Sequence, residues 1–345
     1  METRGVPFIL VTHLANIRYL TGFTGSAGIV LVGPRTGNLW VDPRYTLQAR
    51  EQAEGVEVVV EKQGILKGAA NWLRKNGVRE ANFEAANFTC AQFEQLRKDT
   101  NEILQLKPAG DLIEELRVVK DPGEIEAIRS AGKVTAEVFA ELLPQVRPGV
   151  VEKDLAAEVE YRMRKKGAEG AAFETIVASG PRSAYPHARP SSKALQESEL
   201  VIFDLGAILG GYAADMTRTI CLGEPTRRVR ILYSAVLKAQ AGAVRSVRDP
   251  TPAGEVDAVA RRILANQGLA RYFTHSTGHG VGLEIHERPR LGKGESTCLR
   301  SGSVVTVEPG VYLKGIGGIR IEDTVLVGPE GPEILTPASK ENWIV

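Results

Sequence analysis

Cysteine is scarce in this chain. The three present, Cys90, Cys221 and Cys298, lie far apart, form no CxxC pair and leave an odd count. That argues against a disulfide framework and a thiolate zinc site, and it fits a reducing cytoplasm. Long apolar runs are missing too. No stretch approaches the roughly 18 residues of a membrane span, and the apolar part of METRGVPFILVTH is too short for a signal peptide. Neither a membrane partner nor secretion is expected. Charge of one sign is nowhere concentrated: 43 Lys and Arg against 42 Asp and Glu leave a net +1. With no basic block, nucleic acid is not an expected partner either.

What is present is the composition of an ordinary enzyme, over 345 residues. That length suits two domains of roughly 100 to 200 residues, each able to bury a core. Residues 6–107 alternate strand-like runs (PFILV, AGIVLVG, GNLWVD, VEVVV, REANFE, EILQLK) with amphipathic helical ones (TLQAREQAEG, ILKGAANWLRKNG, TCAQFEQLRKD). An α/β domain is expected there. Its glycine-rich LTGFTGSAG (Leu20–Gly28) lacks the lysine of a phosphate loop and opens no helix, so a nucleotide site is a minor alternative.

Around Pro108–Gly123 the pattern breaks, and DPGE places a helix cap at Asp121 with Pro122 at the first helical position. The expected division is 1–115 and 116–345. The second part reads as two long helices, then strands, then two more helices, then strands, an α+β domain with two related halves. In LVIFDLGAILGGYAADMTRTI, Gly210 and Gly211 fit a two-residue hairpin turn. Asp204 then faces Thr217, Gly206 faces Asp215, and the two aspartates become diagonal neighbours on one face, roughly 7–8 Å apart at Cα. An exposed hairpin face is the plain account of either aspartate alone.

Three of the five histidines fall in THSTGHGVGLEIHERP, Thr274–Pro289. His275 and His279 are four apart, yet Gly278, Gly280 and Gly282 make a helix unfavourable, so an extended or looped segment is expected. A hydrogen-bonded interior histidine would account for any one of them; three in one glycine-rich run favour chemistry. Glu308 directly follows the apolar SVVTV, and Glu322 lies inside IRIEDTVLV, where an ion pair with Arg320 on the same strand face is the plain alternative. Four acids and an imidazole exceed what one zinc takes and suit two hard or borderline divalent ions.

VIFDLG, YAADMTRT, THSTGHGVGLEIHERP, VTVEPGVY and GGIRIEDTVLV, in that order, resemble the pita-bread metallopeptidases: aminopeptidase P, prolidase and methionine aminopeptidase. The first domain resembles the creatinase-type amino-terminal domain. NIRYLTGFTGSAG with LWVDPRYTLQA is most similar to aminopeptidase P, and methionine aminopeptidase lacks that domain. DPRY stands where those relatives often have DGRY, and the chain begins almost at its first strand, without the helix usual there.

The resemblance implies Asp204, Asp215, His279, Glu308 and Glu322 as ligands of a dinuclear centre, with Asp215 and Glu322 bridging. It implies His187 and His286 as steadying the substrate carbonyl and the tetrahedral intermediate, and Glu308 as proton acceptor. His275 and Arg320 are grouped with substrate binding, Arg320 also orienting the carboxylates. Two divalent ions are expected, manganese first, with cobalt and zinc also fitting. The implied activity is aminopeptidase P-like: removal of the residue before proline in proline-containing peptides, by a cytoplasmic homodimer. A Xaa-Pro dipeptidase is the alternative, and a metal-free binding or creatinase-like relative a more distant one.

Overall fold

The computed structural model describes residues 5–345. Contacts divide the chain into two compact units, between Arg117 and Val118. Among the described residues no helix is long and apolar enough to cross a membrane.

The first unit is built on a six-stranded mixed sheet in the order Glu57–Val60, Thr36–Val41, Ile29–Gly33, Ile9–Val11, Glu80–Phe83, Gln105–Pro108. Its central strands, Ile9–Val11 and Ile29–Gly33, read as unbroken apolar runs because both faces are covered. Leu10, Leu31 and Trp40 feed one core, while Ile9, Val11, Val30, Leu39 and Val41 feed another. A helix absent from the sequence reading, Leu14–Thr21, ends at Gly22 in the left-handed region (φ 76°). The glycine-rich segment therefore leaves a helix and enters a strand, the reverse of a phosphate loop.

The second unit repeats one plan twice. Helices Pro122–Leu142 and Glu152–Lys165 pack on the strands that follow them, as do Arg227–Ser246 and Ala253–Ala265. Pro122–Leu142 starts where Asp121 and Glu124 form a reciprocal capping box. Its buried stripe Ile128, Ala131, Thr135, Val138, Phe139, Leu142 has helical spacing, and Phe139 meets Phe203 edge-on at 5.8 Å. In the second half Val236, Ala239, Val256, Ala260 and Leu264 close on Val305, Val307, Val325 and Val327.

The hairpin has the expected register. Gly210 and Gly211 both take positive φ, 56° and 81°, and Leu209 pairs with Tyr212 and Asp204 with Thr217. It is nonetheless split between two sheets: Ala207–Leu209 with Tyr212–Ala213 belongs to one, Leu200–Leu205 with Met216–Cys221 to another. At the split a Cβ on Gly206 would lie 1.9 Å from the Ala214 carbonyl oxygen, so only glycine lets the strands cross there. The later runs are broken likewise. Val304–Val307 and Gly310–Leu313 part at Glu308, and Gly317–Arg320 and Asp323–Gly328 part at Ile321–Glu322.

Candidate metal centre

Three of the four acids sit where a ladder is interrupted. Asp215, Glu308 and Glu322 each occupy a residue between strands, where the backbone is released from pairing and must be held by other bonds. The Asp215 N–H donates to Thr324 Oγ1 (3.0 Å), whose hydroxyl donates back to the Asp215 carbonyl (2.8 Å). The Glu308 N–H donates to the Thr277 carbonyl (2.7 Å), and the Glu322 N–H to that of Thr217 (3.1 Å). Each carboxylate is thereby aimed by a pinned main chain.

His279 lies in the short strand Gly278–Gly280, extended as expected, with a bulge before Gly280. A Cβ on Gly278 would fall 2.0 Å from the Thr306 carbonyl oxygen, so the neighbouring strand's close approach requires glycine. His279 Nδ1 lies 3.0 Å from the Gly280 carbonyl. A carbonyl only accepts, so the ring proton is on Nδ1 and the Nε2 lone pair faces the acids. That nitrogen is 3.6 Å from both Asp215 Oδ2 and Glu308 Oε1, too far for a hydrogen bond and close enough to share an ion. Ligand atoms of Asp215, His279 and Glu322 all lie within 4.8 Å of one another.

Asp204 Oδ1, Asp215 Oδ1 and Glu322 Oε1 are buried and have no hydrogen-bond partner. Leaving one buried carboxylate oxygen unsatisfied costs on the order of 1–3 kcal/mol or more, so three in one place call for a cation. The donor set fits one: oxygen-rich with a single imidazole, suited to hard or borderline divalent ions.

Without a cation the same crowding shifts the protons. Burial pushes Glu308 up to about 7, against the pull of Arg320. Burial first and neighbouring acids second raise Asp215 and Glu322 well above the carboxylate range. Burial lowers His279 and His275 to about 4, and His286 in the same direction. The two sets act oppositely on stability. Histidines with lowered values stabilise the fold above their unfolded value and lose that as pH falls; acids with raised values stabilise it when protonated and lose that as pH rises through the folded value. As pH rises above 6.5 the histidines become neutral in the unfolded state as well, so the acids dominate. The melting temperature of metal-stripped protein is therefore expected to fall between pH 6.5 and 8, and a divalent cation to flatten that slope. Thermal unfolding with and without chelator checks this.

Arg320 is buried and spends its donors inside the protein: Nη2 on Asp204 Oδ2 (2.6 Å), Nε on Thr217 Oγ1 (3.0 Å), Nη1 on Tyr312 Oη (2.8 Å) and the Pro186 carbonyl (3.1 Å). Its ion pair is with Asp204, not the Glu322 partner the sequence offered, because the break at Ile321–Glu322 takes the two residues off a common strand face. Thr217 Oγ1 in turn donates to Glu322 Oε2 (2.5 Å). His275 Nδ1–H donates to the Ser276 carbonyl (2.8 Å), so Nε2 accepts from the Tyr312 hydroxyl (2.9 Å). His275 Nδ1 is also 3.8 Å from Glu308 Oε2.

His286 is exposed, with its ring 4.3 Å from that of His279. His187 is exposed on the loop after Pro186, whose carbonyl is tied to Arg320 (3.1 Å). All nine candidate residues thus gather around one region. Tyr312, Thr217 and Thr324 carry no signal in the sequence, since a threonine or tyrosine in a strand is not distinct from β propensity.

These features define a carboxylate-rich cation site on an α+β unit of two similar halves. Residues 126–329 match the model of metallopeptidase family M24, and residues 1–119 match the creatinase/prolidase N-terminal domain. A Xaa-Pro dipeptidase from Pyrococcus horikoshii is 36% identical, over 99% of this chain and 95% of that protein. The solved Xaa-Pro dipeptidase from Bacillus anthracis superposes with a TM-score of 0.95 at 38% identity, covering 100% of this chain and 96% of that one. The X-Pro aminopeptidase from Thermotoga maritima follows with a TM-score of 0.92 and 36% identity, covering 99% and 98%. The chain belongs to metallopeptidase family M24, whose members use divalent metal ions.

Proposed function

We propose that this protein hydrolyses Xaa-Pro dipeptides at a centre of two divalent cations, manganese by preference, held by Asp204, Asp215, His279, Glu308 and Glu322. The observation that carries the reading is the trio of buried, partnerless carboxylate oxygens beside the Nε2 lone pair of His279. It also disfavours a metal-free binding role. Cations bound there supply Lewis acidity towards a water and towards the scissile carbonyl. Glu308 accepts the water's proton and passes it to the departing prolyl nitrogen. His187 and His286, exposed at the rim, donate to the carbonyl oxygen as it gains charge. Arg320 and His275 are positioning residues, since Arg320 is spent on Asp204 and Tyr312, and His275 on Tyr312 and the Ser276 carbonyl. Proline carries no amide N–H, so a site that offers its nitrogen no acceptor favours it.

The dipeptidase takes precedence over the aminopeptidase P-like activity expected first, reversing that order. The Pyrococcus and Bacillus relatives carry the dipeptidase name. A pocket of about 220 Å³ beside His275 is lined by Arg261, Arg290 and Lys293 along with Ser276 and Glu295. Arg261 is committed to Asp257 and to the carbonyls of Phe273 and His275. Arg290, with one long contact to Ser276 Oγ (3.3 Å), and Lys293 supply the charge for a free proline carboxylate.

Paired assays of Ala-Pro and Ala-Pro-Ala test this. The dipeptide is expected to be turned over faster. Arg290→Ala is expected to raise its KM roughly 10- to 100-fold, the worth of a charge-assisted hydrogen bond, with little change in kcat. Equal or faster cleavage of the tripeptide would restore the aminopeptidase reading.

A further inference from the structure

Behind the acids lies a second buried polar cluster that the chemistry does not use. In the strand Met216–Cys221, Thr217 points to Glu322 Oε2, and its neighbour Arg218 points the other way. Arg218 is 2% exposed. Its guanidinium donates to the Glu322 carbonyl, the Thr217 carbonyl (2.9 Å) and Asp323 Oδ1 (2.8 Å). It also reaches three carbonyls of the final segment, those of Thr336 (3.3 Å), Ala338 (2.8 Å) and Ser339 (3.3 Å). Asp323, fully buried, is closed by Gln240 Nε2 (2.7 Å) and by the ammonium of Lys340.

That segment is anchored further along. Trp343 stacks on Tyr233 at 4.0 Å and 7°, and the Tyr233 hydroxyl donates to the Lys340 carbonyl (2.6 Å). The Cys221 N–H donates to the Trp343 carbonyl (2.7 Å), and the Val345 N–H to that of Cys221 (3.0 Å). One guanidinium thus joins a candidate ligand's main chain to the tail.

We propose that residues 336–345 are a positioning element of the metal centre, acting through Arg218 on Glu322. Glu322 sits in a strand break, so its carbonyl has no ladder partner and Arg218 takes that place. If the tail detaches, Arg218 loses three acceptors and, being buried, turns to find others, releasing Glu322. Coupling of this kind is reciprocal: what tightens the tail tightens metal, and metal tightens the tail. The inference rests on the metal-site reading above.

The test uses the full chain, stripped of metal and titrated with Mn²⁺ alone by calorimetry. Trp343→Ala and Lys340→Met both leave the candidate ligands untouched. Each is expected to weaken Mn²⁺ affinity about tenfold, the lower end of what lost outer supports cost a metal site. Arg218→Lys, which keeps the charge and loses the fork, is expected to do the same. Circular dichroism of the stripped variants is expected to match the wild type. In wild type, Mn²⁺ is expected to slow amide hydrogen exchange in residues 336–345 severalfold, and Trp343→Ala to abolish that protection. Wild-type Mn²⁺ affinity in the folded variants, or tail exchange indifferent to Mn²⁺, overturns the coupling. A wild type that binds no Mn²⁺ overturns the metal-site reading itself, and the coupling with it.

Discussion

Asp215→Asn is expected to leave a folded protein that no longer retains divalent metal. Asparagine keeps the shape and the backbone bonds to Thr324 but removes the charge between His279 and Glu322. A loss of at least about 100-fold in metal affinity is expected, the upper end of what an outer support alone costs. Hydrolytic activity should fall with it. Metal content after dialysis, measured beside His279→Ala as a second ligand variant, checks this. Full metal retention by both variants would remove Asp215 and His279 from the ligand set.

Glu308→Gln is expected to separate binding from chemistry. The amide oxygen can still face the cation site, but the side chain can no longer take a proton. A loss of about 10²- to 10⁴-fold in kcat is expected, as for other general bases, with KM for a Xaa-Pro dipeptide changed far less. The group lies well placed for both roles, with Oε1 3.6 Å from His279 Nε2 and Oε2 3.8 Å from His275 Nδ1. Recovery of wild-type kcat on adding excess Mn²⁺ would reduce Glu308 to a ligand alone.

The candidate acids differ in how legible they are in the sequence. Counting from Gly210–Gly211 puts Asp204 and Asp215 on one face; the observed register agrees at Leu209–Tyr212 and Asp204–Thr217, while Gly206 and Asp215 fall in the break between the two sheets. That succeeded because a two-residue turn with positive φ at both positions leaves one pairing open. Glu322 was a different matter. Its run reads as one strand, and neither hydrophobicity nor β propensity marks the break at Ile321–Glu322 that turns the carboxylate towards Thr217 and releases Arg320 to Asp204. A strand's end depends on its neighbours' positions, information that a local pattern does not carry. The roles of Tyr312 and Arg218 were hidden for the same reason, since their partners lie 37 and about 120 positions away.

By itself the sequence determined the order of most strands and helices, the turn of the hairpin, the extended course around His279 and the types of side chain available for a cation. Those follow from short-range chemistry: periodicity, caps, glycine and the donor atoms each residue carries. Only the tertiary structure decided which ladder breaks coincide, which carboxylate oxygens lose every partner and which guanidinium stands behind each acid. Such facts are set by burial, and burial is a property of the packed chain rather than of any stretch of it.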